Sequence, residues 1–561
     1  MPAIYDLADR YVERLAQLDP LSATMRGIQG YDAQMTDLSP AGVEARAELV
    51  RATLATLATL APVTDRERTA AGVLGERLQV SADRHRAGDD YRDLNNINSA
   101  VQVVRQVFDV MPTETAEQWE AICSRLERVP DAIEGLCATL REGLQREVSA
   151  ARRQALTCSE QARVWSGGRP GTPPFFMTLV ERAQRTNAPD GTFRRRLEDS
   201  ARAAGAAYAD LSRFLREEYA PRASERDPVG PERYALGVRM ALGMEIDVEQ
   251  AYRWGWEELR RLESEMQAVS RRILPGAPLA EVLRLMESDP GRAIEGVEAF
   301  RAWLQELMDR TIAELNGVHF EIPQPIQRVE AMIAPAGGAA AMYYTGPSED
   351  FSRPGRTWYP TLGRTRFPLW GEVSTAYHEG VPGHHLQVGQ VRFLAAELSR
   401  YQRTMAWCPG YGEGWALYAE RLMQELGYLD HPDYELGMLR AHAFRATRVI
   451  IDIGMHLELE IPAGEEHAGR RWTPELGLEF SLAHSYNPRE FMVSEIDRYL
   501  GWPAQAISYK LGEREILALR AELRARQGSA FDLKAFHARM LGLGPMGLQQ
   551  LRDELLQAPL G

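Results

Sequence analysis

Residues Ala41–Leu60 read AGVEARAELVRATLATLATL. Apolar side chains recur there at i, i+3 and i+4, the stripe that one face of a 3.6-residue helix buries. The same period runs through Gln118–Val148, Phe193–Glu218, Asp247–Ile273, Val297–Leu315 and Glu513–Arg526. Capping residues mark helix starts in Thr113-Glu-Thr-Ala-Glu117 and Ser529-Ala-Phe-Asp532, because a side-chain oxygen there satisfies amides that the first turn leaves over. Two stretches break the pattern. Trp165–Pro174 (WSGGRPGTPP) reads as a loop or hinge. Val318–Pro368 contains β-like pieces at Val318–Ile322, Gln327–Ala331 and Ala339–Tyr344, separated by Pro and Gly, which predicts a small sheet of short strands. The expected fold is mainly α: a large two-lobed helical body around a deep cleft, with the small sheet just before the most polar motif. Residues 1–230 read as helical scaffold and 231–561 as the chemical half, with a soft boundary that also admits one intertwined domain.

The composition, 45% hydrophobic and 26% charged over 561 residues, excludes a disordered or fibrous chain. No apolar run reaches the roughly 18 residues of a membrane helix. The start, MPAIYDLADRYVERLAQLDP, is charged throughout, unlike a secretory signal. A net charge of −14 argues against phosphate neutralisation, so neither nucleic acid nor membrane is an expected partner. Cys123, Cys137, Cys158 and Cys408 form no C-x-x-C pair, and a reducing cytoplasm is the simplest reading. Of 65 basic residues only Lys510 and Lys534 are lysine.

The densest chemistry lies in Ala376-Tyr-His-Glu-Gly-Val-Pro-Gly-His-His-Leu-Gln387. A zinc peptidase helix carries H-E-x-x-H because i and i+4 converge on one metal. Here i+4 is Pro382, and the next histidines are His384 and His385. On an ideal helix i+7 lies about 10 Å away and i+6 faces elsewhere. Gly380, Pro382 and Gly383 break regular helix, so a bulge can return His384 to His378 with Gly383 permitting it, leaving His385 facing away. A polar helix end with exposed histidines has the same spacing, so residues further on decide. Glu413 follows His378 by 35 residues, flanked by Gly412 and Gly414 and heading a helical run. A carboxylate on a second helix is the third ligand of a glutamate-zincin site. Glu420, seven residues on, shares its face and either orients a histidine or pairs with a surface arginine.

His378-Glu-Gly-Val-Pro-Gly-His-His-Leu-Gln387 with Glu413-Gly-Trp-Ala-Leu-Tyr-Ala-Glu420 resembles the bacterial family called domain of unknown function 885, which is grouped with zincin-type metallopeptidases. Ser352-Arg-Pro-Gly355, Arg445-Ala-Thr-Arg-Val-Ile-Ile-Asp-Ile-Gly-Met-His456 and Trp502-Pro-Ala-Gln-Ala-Ile-Ser-Tyr-Lys-Leu-Gly512 carry the resemblance further. Ala504 stands where glycine is expected, Phe351 where a small residue is expected, and the stretch after His456 departs from the family pattern. The resemblance implies a zincin-like body and a chemistry class, without a substrate.

On this reading zinc is the cofactor, held by His378, His384 and Glu413, and Glu379 is the general base. Tyr509 or His456 is the oxyanion donor. Arg353, Tyr344, Lys510 and His385 are candidates for substrate contact, with Arg498 a further carboxylate-binding arginine. Tyr343 and Tyr344 adjoin Gly337 and Gly338 on a strand that could pair with an extended peptide. The expected function is a zinc metallopeptidase for short peptides, carboxypeptidase- or oligopeptidase-like. The alternatives are a metal-dependent amide or ester hydrolase of small metabolites and a helical binding protein whose metal site is structural or lost. Oligomeric state is left open, with a homodimer among the options.

Overall fold

The structure is a computed structural model that describes residues 3–186, 188–334, 342–348 and 350–557. It is mainly helical with two small sheets. The chain divides into two compact units: Met1–Val63, Arg77–Leu236 and Val493–Pro503 form one, and Thr64–Glu76, Gly237–Met492 and Ala504–Gly561 the other. The main division falls near the expected residue 230, but one segment of each sequence half belongs to the opposite unit.

The first unit buries Phe108, Trp119, Leu126, Tyr208 and Leu211 in one apolar core. The period across Gln118–Val148 resolves into two helices, Ala116–Leu126 and Val129–Gln145. Pro130 in the first turn of the second supplies no amide to continue the first. Thr115 caps the earlier helix in a reciprocal capping box with Gln118. Trp165 ends the helix Arg152–Trp165, and residues 166–174 run as turns before the next helix at Phe175.

The second unit carries the elements that position the site. Helix α1 (Val248–Ile273) starts at Asp247, whose side chain accepts from the Gln250 amide. Strands β1 (Ala293–Glu295) and β5 (Arg366–Pro368) pair antiparallel, Ala293 opposite Pro368. Helix α2 (Val297–Leu315) lies where its period predicts. In the three-stranded sheet β2 (Val329–Ile333) runs parallel to β4 (Gly355–Tyr359), Ile333 opposite Tyr359. Strand β3 (Tyr343–Thr345) pairs antiparallel on the other edge of β4, Tyr343 opposite Trp358. Val318–Ile322 is not a strand: Phe320 makes a single bridge to Asn316 across a tight turn at Gly317. Gly337, Gly338 and the first part of Ala339–Tyr344 lie outside the described residues.

Helices α3 (Glu372–Glu379), α4 (His384–Phe393), α5 (Pro409–Glu425), α6 (Pro432–Leu457) and α7 (Ser508–Gln527) complete the surroundings of the site. Helix α6 packs along α1, and α5 crosses α7 where Gly414 and Gly512 meet backbone to backbone. The buried faces of α5 and α6 include Trp415, Leu417, Met423, Leu439, Ala446 and Ile453, and apolar packing holds α5 chiefly against α7 and α6 against α1 before any polar group is considered.

Candidate metal centre

Helix α3 ends in a fold-back. Gly383 donates its amide to the Tyr377 carbonyl at 3.0 Å, and His385 to the Gly380 carbonyl at 3.0 Å. The Val381–Pro382 peptide is cis. A Cβ at Gly383 would stand 2.0 Å from the His378 carbonyl oxygen, so only glycine allows the chain to pass there. Helix α4 then restarts at His384, whose ring sits edge-on to His378 with centroids 4.8 Å apart. The helix breaks and restarts, which brings His384 to a place that uninterrupted i+6 spacing could not reach.

Helix α5 supplies the carboxylate. Glu413 Oε2 lies 3.5 Å from His378 Nε2 and 3.6 Å from His384 Nε2. The ligand atoms of His378, His384 and Glu413 all fall within 4.8 Å of one another. Glu420, on the same face of α5, holds the opposite edge of His378: Nδ1 donates to Oε1 at 2.8 Å. That bond places the proton on Nδ1 and leaves the Nε2 lone pair facing His384 and Glu413. Glu420 is itself buried and held by the Ser374 hydroxyl, with His442 Nε2 at 3.6 Å and Arg445 at 3.7 Å.

The electrostatics favour positive charge between these groups. Burial works against charging the His378 ring, but hydrogen bonds to Glu413 and Glu420 outweigh it and raise its pKa to about 9. Burial likewise opposes ionisation of Glu413, yet His378 and His384 hold its carboxyl well below the usual range. Glu379 follows His378 directly and is 7% exposed. Its Oε2 is buried with no hydrogen-bond partner among the described residues, a costly state unless a bound group or water uses it. Two imidazole nitrogens and one carboxylate oxygen fit a catalytic divalent-cation site that keeps a position open. Glu466, His467 and Glu479 form a second close group, but it lies at the surface, where Arg470 also approaches His467 at 3.4 Å.

Several expected substrate contacts are corrected. His385 is fully buried, with Nε2 on the Ile326 carbonyl at 2.8 Å and Nδ1 on the Tyr344 hydroxyl at 2.9 Å. Both ring nitrogens, and the Tyr344 hydroxyl with them, are thereby used. A Cβ at Gly355 would collide with this pair, which accounts for the glycine of the Ser352-Arg-Pro-Gly355 turn. Arg353 ties that turn to itself, donating to the Gly346 carbonyl at 2.8 Å and the Pro354 carbonyl at 3.3 Å. Lys510 is 1% exposed, with its ammonium on Glu513 and, at 2.7 Å, on Glu258. A substrate does not reach it. Arg498 forms a buried pair with Glu495 in the first unit.

Of the two expected oxyanion donors, Tyr509 is half-buried under Arg448 at 4.7 Å and Arg445 at 5.9 Å, and Arg445 reaches Glu420. His456 is fully buried 14 residues beyond His442 on α6. That is about 20 Å along the helix axis, so the fold does not bring it to the cluster.

A family model described as "Bacterial protein of unknown function (DUF885)" matches residues 20–555. The chain belongs to the DUF885 family. It is similar over 99% of its length to a "putative lipoprotein" from Colwellia psychrerythraea, at 23% identity, 98% coverage of that chain and a TM-score of 0.84. A "putative lipoprotein of unknown function" from Shewanella oneidensis matches 99% of this chain and 100% of its own, at 18% identity and a TM-score of 0.74. These identities establish a shared fold. No curated protein matches.

Sequence reasoning missed three groups in this DUF885 chain that the fold brings to the site. Ser374 lies one turn before His378, and His442 one turn before Arg445, and both side chains reach Glu420. Tyr359 ends β4 with its hydroxyl buried and unpartnered among the described residues. Helical spacing could have found Ser374 and His442, whereas nothing local marks Tyr359. The fold-back also yields an expected outcome: Gly383→Ala lowers zinc affinity by at least about tenfold, as misplaced supporting groups do. Competition with a chromogenic chelator measures this, and wild-type affinity in that variant would remove Gly383 from the account.

Proposed function

We propose that this protein is a zinc-dependent hydrolase of short peptides, in the manner of glutamate-zincin metallopeptidases. The observation that carries the reading is the convergence of His378, His384 and Glu413 beside Glu379, whose inward oxygen has no partner among the described residues. Zinc held by these three side chains would supply a Lewis acid that polarises a carbonyl and makes water nucleophilic near neutral pH.

The remaining work falls to residues of the chain. Glu420 fixes the tautomer and angle of His378, and Ser374, His442 and Arg445 fix Glu420. Glu379 Oε2 takes a proton from the attacking water and returns it to the leaving amine. Tyr509, linked to this network through Arg445, is assigned as donor to the oxygen that gains charge. A cytoplasmic location goes with the reading through the four free, buried cysteines. No described helix is long and apolar enough to cross a membrane.

The test is digestion of a defined pool of short peptides, read by mass spectrometry with and without a chelator. Zinc-reversible cleavage is expected. A pool left intact by the zinc-loaded protein while small ester or amide substrates turn over would move the assignment to non-peptide hydrolysis.

A further inference from the structure

Arg440, in the second unit, has a guanidinium committed to an aromatic ring and to no acceptor among the described residues. It lies on α6, stacked over the buried ring of Trp370 at 4.6 Å. It makes no hydrogen bond or ion pair among the described residues, and its Nε is buried without a partner. Arg498 and Arg292, by contrast, are matched by Glu495 and Asp433. Stacking without pairing leaves the planar fork fixed in orientation and its donors available.

Its position relates it to the candidate metal centre. Gly371, which precedes α3, stands with its Cβ position 3.5 Å from an Arg440 terminal nitrogen. Glu372 opens α3, and Glu379 lies seven residues on, on the same helix face. That separation is about 10 Å along the axis. Both carboxylates, together with burial, push the Tyr359 phenol upward, so this face of α3 is turned toward the end of β4. Two acids near Arg440 do not satisfy it. Glu287 is engaged by the Trp370 indole at 3.0 Å, and burial raises the Glu372 carboxyl to about 7 against the nearby arginines.

We infer that Arg440, stacked on Trp370 beside Gly371, binds the terminal carboxylate of a peptide whose scissile bond lies at Glu379. The ligand class is a peptide with a free carboxyl end, held bidentately. An extended residue spans about 3.5 Å, so some three residues or fewer fit between the terminus and the cleaved bond. This rests on the hydrolase reading for the cleavage step, while the carboxylate site stands on Arg440 itself.

The test compares one hexapeptide as free acid and as carboxyl-terminal amide. Binding to the zinc-loaded Glu379→Gln protein is measured by calorimetry, and cleavage by the wild type by mass spectrometry. The acid is expected to bind at least tenfold more tightly than the amide, since a charge-assisted bidentate pair is stronger than the neutral contacts an amide can make. Arg440→Met, placed in the same background, brings the two affinities together. Arg440→Lys, which keeps a cation on Trp370 without the fork, restores part of the difference and serves if the Met variant does not fold. Released fragments have three residues or fewer. Equal binding of acid and amide, an acid preference that persists in a folded Arg440→Met protein, or longer released fragments would overturn the inference. Acid preference without any cleavage would sink the hydrolase reading and leave the carboxylate site standing. Zinc-dependent cleavage indifferent to amidation would do the reverse.

Discussion

Glu379→Gln is expected to keep one zinc per chain while lowering kcat by roughly 10²–10⁴-fold, the usual contribution of a positioned base. The substitution preserves size and one acceptor oxygen but removes the basic site. Glu379 is not among the three converging ligand atoms, so metal retention and loss of turnover separate cleanly. KM should change little, because the carboxylate acts on the proton in flight and contributes little to ground-state binding. Zinc content, a fluorogenic peptide assay and a thermal melt together make the check. Wild-type turnover in a zinc-loaded variant would remove Glu379 from the chemistry.

Lys510→Met is expected to cost about 3–5 kcal/mol of stability, because it breaks a buried charge cluster from one side. The ammonium contacts Glu513, Glu258 at 2.7 Å and His442 Nδ1 at 3.4 Å. Removing it leaves two buried carboxylates sharing fewer cations. It also frees the edge of His442 opposite Glu420, so the zinc site loosens together with the fold. The matched control is Lys534→Met, whose partner Glu321 is exposed; about 0–1 kcal/mol is expected there. Burial opposes ionisation of Glu258, but Arg261 and Lys510 hold its pKa down to about 2. A depressed carboxyl pKa stabilises the fold above the unfolded value of about 4.3, and that share is lost as pH falls from there toward 2. The gap between wild type and Lys510→Met should therefore be widest near neutral pH and narrow below pH 4. Urea unfolding across that range measures it, and near-equal midpoints at pH 7 would refute the cluster's role.

The helical body was legible because its signal is local. An apolar stripe over Val297–Leu315 or Asp247–Ile273 already says which face is buried, and the helices lie there. Val318–Ile322 misled for the same reason: β-branched and aromatic residues suit a strand, but the turn at Gly317 and the prolines around it close a loop first. In the candidate site, the return of His384 could be reasoned from Gly383 and Pro382, since breakers before a histidine leave few other paths. The roles of Arg353, His385 and Lys510 could not. His385 and Lys510 are decided by distant groups, the Ile326 carbonyl and the Glu258 carboxylate, and Arg353 by how its own turn closes on the Gly346 carbonyl, none of which a local pattern specifies. Arg440 carried no signal at all in a chain whose basic residues are nearly all arginine; its unshared guanidinium on Trp370, next to Gly371 at the head of α3, is visible only in the fold.

The most direct measurement is calorimetric titration of zinc into metal-stripped protein, run in parallel on wild type, His384→Ala and His385→Ala. His384 belongs to the converging ligand set, whereas His385 is closed off between Ile326 and Tyr344. The account predicts one site per chain in the wild type, lost in His384→Ala and kept in His385→Ala. No stoichiometric site, or greater loss in His385→Ala than in His384→Ala, would contradict it.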